Sequence, residues 1–220
     1  GRVILMTRNA YRPIIVTNSF APYRLPGWVS LSKLVEDLRV IYLSETEDNR
    51  IWEIQKSKHF SSKTINSKSF YFQRIDNYVY VGGGIVKEIN KWNPSHIILN
   101  GYHQLPYIST IIYAKVKDIP IIQWYESHVN SSYFTNIFVN YFRKYLLDQS
   151  VTILAAGRMT KDYLVDLGID ENKIVIAPNV VDVTLFSNKK NNRNRKKTRF
   201  MYSGRLIKYK GIDLLLKAFM

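Results

Sequence analysis

Short apolar runs alternate with longer stretches of helical spacing along most of this chain. PIIVTNSF (13–20) is a compact apolar run with a polar exit, as in a buried strand. APYRLPG (21–27) reads as a loop, with two prolines and a glycine. WVSLSKLVEDL (28–38) then sets Trp28, Leu31, Leu34, Val35 and Leu38 at helical spacing, and RVIYLSE (39–45) reads as the next strand. Residues 60–81 alternate less cleanly and predict one or two strands. Beyond them come a glycine turn into a helix that stops before Pro94, then HIILNG as strand, LPYISTIIYAKVKD as helix and IPIIQWY as strand. A helix over 133–149 follows, then VTILAAG, RMTKDYLVDLG and KIVIAPN as strand, helix and strand. This order predicts an α/β fold: a Rossmann-like, mostly parallel sheet with helices on both faces.

The texture changes at SNKKNNRNRKKTR (187–199), which carries seven Lys/Arg, no acid and no apolar residue. It has nothing to bury and reads as an exposed linker, with a nucleic-acid-binding arm as the alternative. FMYSGRL opens a new strand, and Ile212, Leu214, Leu215 and Phe219 form an apolar helix face behind it. The expected organisation is a first domain over 1–186, a basic linker over 187–197 and an incomplete second domain over 198–220. The tail face is expected to be covered by the first domain or by a second molecule, which makes an oligomer through this tail one expected partner.

Composition narrows the function. The 220 residues carry a formal net charge of +15, which favours anionic partners such as phosphorylated ligands, nucleic acid or an acidic membrane. No cysteine is present, so disulfides and Cys-based metal sites are excluded, in keeping with a cytoplasmic location. No apolar run approaches the ~20 residues of a membrane span. The opening has too short an apolar stretch for a signal peptide, and Gly1 in place of Met suggests a trimmed start. The four histidines lack the spacing of a helical zinc site, so no metal is expected.

The ending carries the most specific pattern. Gly204, Arg205 and Leu206, then Lys210 and Gly211, then Leu214, Leu215, Leu216, Ala218 and Phe219 resemble the start of the C-terminal domain of retaining glycosyltransferases of family 4, which adopt the two-domain GT-B fold. GRMTKDYLVDLGIDENKIVIAPNVVDVTLF (157–186) is similar to the end of that family's N-terminal domain. The resemblance implies a retaining enzyme that moves a sugar from a nucleotide-diphosphate donor to a glycan or lipid-linked acceptor, without other cofactors. It implies donor-diphosphate contacts at Gly204, Arg205 and Lys210. Fixed cations suit that role, because charge grows on the diphosphate as the sugar leaves. The family's acidic E-x7-E motif and base pocket have no counterpart before Met220, so these 220 residues alone are expected to be an inactive or partial form.

Loops after strands line the crevice of such sheets. Tyr23 and Arg24, after the first strand, and His103, in NGYHQL, are therefore acceptor-binding candidates. Glu126 and His128, in QWYESHVN, are catalytic candidates. VGGGIVKEIN (81–90) matches neither common phosphate-loop pattern and reads as a structural turn. In 133–147, Phe134, Ile137, Phe138, Tyr141, Phe142 and Tyr145 share one helix face, with Arg143 and Lys144 off it. That face is expected to point to the core. Peripheral docking on a membrane surface is the alternative, since aromatic and basic residues together suit a headgroup interface. Two other function classes remain: a basic binding module, although no recognised nucleic-acid motif supports a specific nucleic-acid partner, and a non-catalytic scaffold.

Overall fold

The computed structural model describes residues 11–45, 57–65, 67–72, 77–82, 84–128, 136–186, 200–204, 206 and 210–219. Arg205, Phe134 and the basic run 187–199 lie outside them. The chain separates into two compact units, Gly1–Asp182 and Val183–Met220.

The first unit is built on seven parallel strands: β1 (Pro13–Thr17), β2 (Arg39–Tyr42), β3 (Ser61–Thr64), β6 (His96–Leu99), β7 (Ile121–Tyr125), β8 (Thr152–Ala155) and β9 (Ile174–Ile176). Their order across the sheet is β3-β2-β1-β6-β7-β8-β9. The chain thus starts near the middle, winds to one edge, returns to the far side of β1 and winds to the other. All five residues of β1 are buried, as a central strand covered on both faces requires. The β3 edge is polar (SSKT), which discourages pairing with another sheet.

Parallel register sorts the side chains by face. Ile14 lies beside Ile97, and Ile97 beside Ile121. This face packs under α2 (Ile85–Trp92) and α3 (Leu105–Val116), through Ile85, Ile89, Tyr107 and Ile111. Further along it, Tyr125, Ile153 and Ala155 meet Leu147 of α4 (Ile137–Asp148) and Leu164 of α5 (Arg158–Asp166). On the opposite face Ile15, Val40 and Tyr42 pack against Trp28 of α1 (Leu25–Ser32). Helices therefore cover both faces of a parallel sheet, the doubly wound arrangement expected from the alternation of elements.

Several local expectations need correction. α1 begins at Leu25, inside the stretch read as a loop, because Pro26 occupies the first helical turn, where a missing N–H costs nothing. It ends at Ser32, so Val35 and Leu38 pack from the connection to β2 while Leu34 is exposed. Residues 60–81 hold three strands. Besides β3, an antiparallel hairpin forms from β4 (Lys68–Phe72) and β5 (Asn77–Val81). The aromatic face of α4 is not in the core: Ile137, Phe138 and Tyr141 are 77%, 83% and 75% exposed, while Arg143, Leu146 and Leu147 are buried. The arginine is tolerated inside because tyrosine hydroxyls and an amide receive its N–H groups.

In the second unit, residues 200–204 form no strand, since no neighbouring strand pairs with them. α6 (Ile212–Phe219) does form, behind Gly211 in the left-handed region (φ +65). Of its expected buried face, Leu214, Leu215 and Phe219 are exposed and Ile212 is half-buried. The ring of Phe219 meets Phe200 edge to face at 5.0 Å.

Candidate active-site rim

The sheet reverses its winding between β1 and β6, and at such a switch the strand ends leave a crevice for ligands. Loops from four strand ends lie on this side of the sheet, and those after β1, β7 and β9 meet. After β1 a tight turn over Pro22–Arg24 delivers Tyr23 and Arg24. After β6 come Asn100, Gly101 and His103, after β7 Glu126 and His128, and after β9 Asn179.

Arg24 and Glu126, 102 residues apart in sequence, meet on this rim. Arg24 Nη2 donates to Glu126 Oε1 at 2.9 Å, and Asn179 Nδ2 donates to the same oxygen at 3.3 Å. The guanidinium also lies 5.7 Å from the Tyr23 ring centroid and 5.8 Å from that of Trp124, within reach of cation–π attraction. The side chain of Arg24 is 14% exposed and that of Glu126 43%. One cation is thus held from three sides beside a carboxylate that faces solvent. Chemically the cluster combines an accepting carboxylate with a donating guanidinium and amide, beside the 40% exposed Tyr23 ring.

His103 is bound into a second cluster. Buried Gln104 clamps the hairpin: its Oε1 accepts from Tyr80 N at 2.9 Å and its Nε2 donates to Tyr78 O at 2.6 Å. That orientation leaves the amide nitrogen facing His103 Nε2 at 3.2 Å, so this ring nitrogen must accept. Desolvation, and then the Arg143 charge, lower the His103 pKa from its ordinary value. Both observations describe a neutral imidazole. Arg143 itself donates through Nε to Tyr102 Oη at 2.8 Å and through Nη1 to Asn140 Oδ1 at 2.8 Å and to the Tyr163 hydroxyl. Tyr102 stacks on Tyr125 at 5.6 Å, and Tyr125 on Tyr163 at 6.3 Å. Burial pushes the Tyr125 hydroxyl far above the usual tyrosine range, so it stays protonated. His128 is half-buried, two residues beyond Glu126.

The switch point also holds residues that pattern reading passed over. Asn100 Nδ2 donates to Thr17 Oγ1 at 3.2 Å, and Tyr107 Oη donates to Asn18 Oδ1 at 2.7 Å. Gly101 has φ +148, and an added Cβ would come within 2.6 Å of the Tyr107 ring. The signal was present as Asn-Gly directly after an apolar strand. In the glycine run, Gly82 and Gly84 both have positive φ with open space around them, which explains glycine there by the turn alone.

In the second unit Lys210 is exposed directly before the helix that Gly211 opens. An added Cβ at Gly204 would meet the Tyr202 hydroxyl at 2.6 Å. Arg205 lies outside the described residues. Among the described residues no group of three His, Asp or Glu is placed to hold a metal ion, and no helix is long and apolar enough to cross a membrane.

Similar folds are found among solved structures. HepE of Anabaena in complex with UDP and glucose matches with a TM-score of 0.57 and 9% identity, over 80% of this chain and 46% of HepE. The same protein in complex with UDP-glucose gives 0.56 and 10%, over the same shares. UDP-GlcNAc 2-epimerase from Methanocaldococcus jannaschii matches at 0.49 and 16%, over 76% of this chain and 45% of that one. The chain therefore spans about half the length of the structures it matches. No curated protein matches the sequence. The seven-stranded unit has the Rossmann-like fold of a GT-B N-terminal domain. The model of Glycosyltransferase Family 4 covers residues 57–185, more than half of the 220, and the chain belongs to that family.

Proposed function

We propose that this chain is the acceptor-side domain, with the opening element of the donor-side domain, of a glycosyltransferase. The enzyme moves a sugar from a nucleotide-diphosphate donor to a glycan or lipid-linked acceptor and retains the anomeric configuration. The domain limits follow the sequence reading: 1–186, a linker over 187–197, and 198–220. Family membership supports the reaction class, and the UDP and UDP-glucose complexes of HepE support a nucleotide-sugar donor. Retention and the acceptor class rest on the family resemblance of the sequence.

The observation that carries most weight is the Arg24–Glu126–Asn179 constellation at the crevice. In the proposed roles Tyr23, Arg24 and His103 bind acceptor hydroxyls. With Nε2 of the neutral His103 ring accepting from Gln104, its Nδ1–H is the group left to donate to an acceptor oxygen. Glu126 and His128 are the proposed catalytic groups, acting as a base or as hydrogen-bonding partners of the acceptor. Gly204, Arg205 and Lys210 hold the donor diphosphate, where a guanidinium fork and an ammonium offset the charge that grows as the sugar leaves.

The test is a transfer assay in a chain of full GT-B length, with a panel of labelled nucleotide-sugars and glycan or lipid acceptors. The reading expects product from at least one donor and a strong loss for Glu126→Gln with the fold intact. Absence of transfer from every donor, alongside nucleotide release to water, would redirect the proposal to a hydrolase or epimerase.

A further inference from the structure

The outward face of α4 exposes Ile137, Phe138, Tyr141, Phe142 and Tyr145, while the opposite face of the same helix carries the core contacts. Five large side chains on one three-turn stripe form an unusually apolar surface. The stripe does not stop at α4. Lys115 Nζ lies 5.8 Å from the centroid of the Tyr145 ring, which joins α3 to α4. On α3, Ile112 and Val116 are exposed, at spacing that places them on one side of that helix.

On the α2–α3 side of the strip the charge is basic. Helices α2 to α4 with the turn after α3 carry six Lys/Arg (Lys87, Lys91, Lys115, Lys117, Arg143, Lys144) and three acids (Glu88, Asp118, Asp148). Two of those acids are already engaged, Glu88 with Lys63 at 2.7 Å and Asp148 with Lys144. Lys115 borders the apolar strip, Lys117 is exposed directly after Val116, and Lys87 and Lys91 are exposed on the neighbouring α2.

We propose that the α3–α4 face docks on an anionic bilayer surface. The phenyl and alkyl groups enter the boundary between headgroups and acyl chains, the tyrosine hydroxyls remain at headgroup level, and the lysines contact lipid phosphates. Charge decides against a second copy of this chain as the occupant. A two-fold contact sets the same patch against itself, so two basic borders would meet, whereas anionic headgroups neutralise both. A helix that follows a parallel strand runs back along it, so the start of α4, with Ile137 and Phe138, lies at the end of the sheet that carries Glu126. Docking would thus hold the crevice close to the lipid surface. The link to a lipid-borne acceptor rests on the glycosyl-transfer reading; docking itself does not.

Vesicle co-sedimentation of the 220-residue chain tests this without any activity. The probes are vesicles of phosphatidylcholine alone and of phosphatidylcholine mixed with phosphatidylglycerol. Binding is expected to favour the anionic vesicles and to weaken as salt is added. Phe138→Ser combined with Phe142→Ser should reduce it at least about tenfold, with the far-UV spectrum and unfolding midpoint unchanged because both side chains are exposed. Lys117→Glu should weaken it less and shift the lipid preference. Three results would overturn the proposal: no binding to either vesicle, binding that survives the double phenylalanine variant and is lost on neutralising the 187–199 lysines and arginines, or a concentration-dependent dimer that the phenylalanine variant abolishes without any vesicle binding. If vesicles bind as expected and no donor supports transfer, the docking surface stands and the enzymatic reading fails.

Discussion

Arg24 and Lys210 are both cations proposed to meet a ligand, but their settings differ. The guanidinium of Arg24 is held by Glu126 and lies near the Tyr23 and Trp124 rings, on loops fixed by a buried sheet. Lys210 stands exposed at the head of α6, a helix none of whose residues is buried. A strand rim can pre-organise a site because the core beneath it fixes each loop end. The second unit has its turn chemistry, with Gly211 at positive φ, but Leu214, Leu215, Leu216 and Phe219 of its helix remain on the surface. The rim is therefore expected to tune acceptor binding, and the turn to contribute charge in the transition state.

The largest effect separates these roles. In a chain of full GT-B length, Arg205→Ala and Lys210→Ala should each lower kcat about a hundred- to thousandfold, the scale of removing one fixed stabilising donor. Circular dichroism should be unchanged, since Lys210 is exposed. Arg24→Ala should instead raise the KM for acceptor about tenfold, as lost ground-state binding does. An equal fall in kcat for Arg24→Ala, at constant KM, would erase the distinction.

Stability should divide the same way. Ile97→Ala, in the buried centre of the sheet, is expected to cost about 2–5 kcal/mol in denaturant unfolding. Leu216→Ala, exposed on α6, should stay within about 0.5 kcal/mol. Gly101→Ala falls between them, at about 1–3 kcal/mol, because the new Cβ meets the Tyr107 ring in a backbone region that side chains avoid. A large cost at Leu216 would mean that α6 is packed in solution.

The smallest effect is electrostatic. Desolvation lowers the pKa of His96, and desolvation with the Arg143 charge lowers that of His103. Between those lowered values and the ordinary histidine value of about 6.5, the unfolded chain binds more protons than the folded one. Stability should fall as pH drops through that window and stay level above it. His103→Gln should flatten part of this slope, as read from unfolding midpoints across pH.

Much of the sheet was legible because β1, β6, β7 and β8 are short apolar runs that suit burial on both faces. The β4–β5 hairpin was not resolved, since its aromatic residues are divided between surface and core: Phe70 and Phe72 are exposed while Tyr78 and Tyr80 are buried. α4 shows the limit of periodicity. Spacing identifies a stripe but not the direction it faces. Leu146 and Leu147 supply enough apolar surface to turn the opposite side inward, and tyrosine hydroxyls make a buried Arg143 acceptable. At the rim, loop positions after strands led to Tyr23, Arg24, His103, Glu126 and His128. The contact of Arg24 with Glu126 spans 102 residues and exists only through the sheet.

The most direct measurement is transfer from labelled nucleotide-sugars by a chain of full GT-B length, with the product anomer read by proton NMR and Lys210→Ala run in parallel. The proposed retaining reaction and the proposed diphosphate role together expect a product that keeps the donor's anomeric configuration and a strong loss of turnover in the variant. An inverted product would contradict the retaining assignment, and undiminished turnover in Lys210→Ala would contradict the placement of the donor phosphates at the turn before α6.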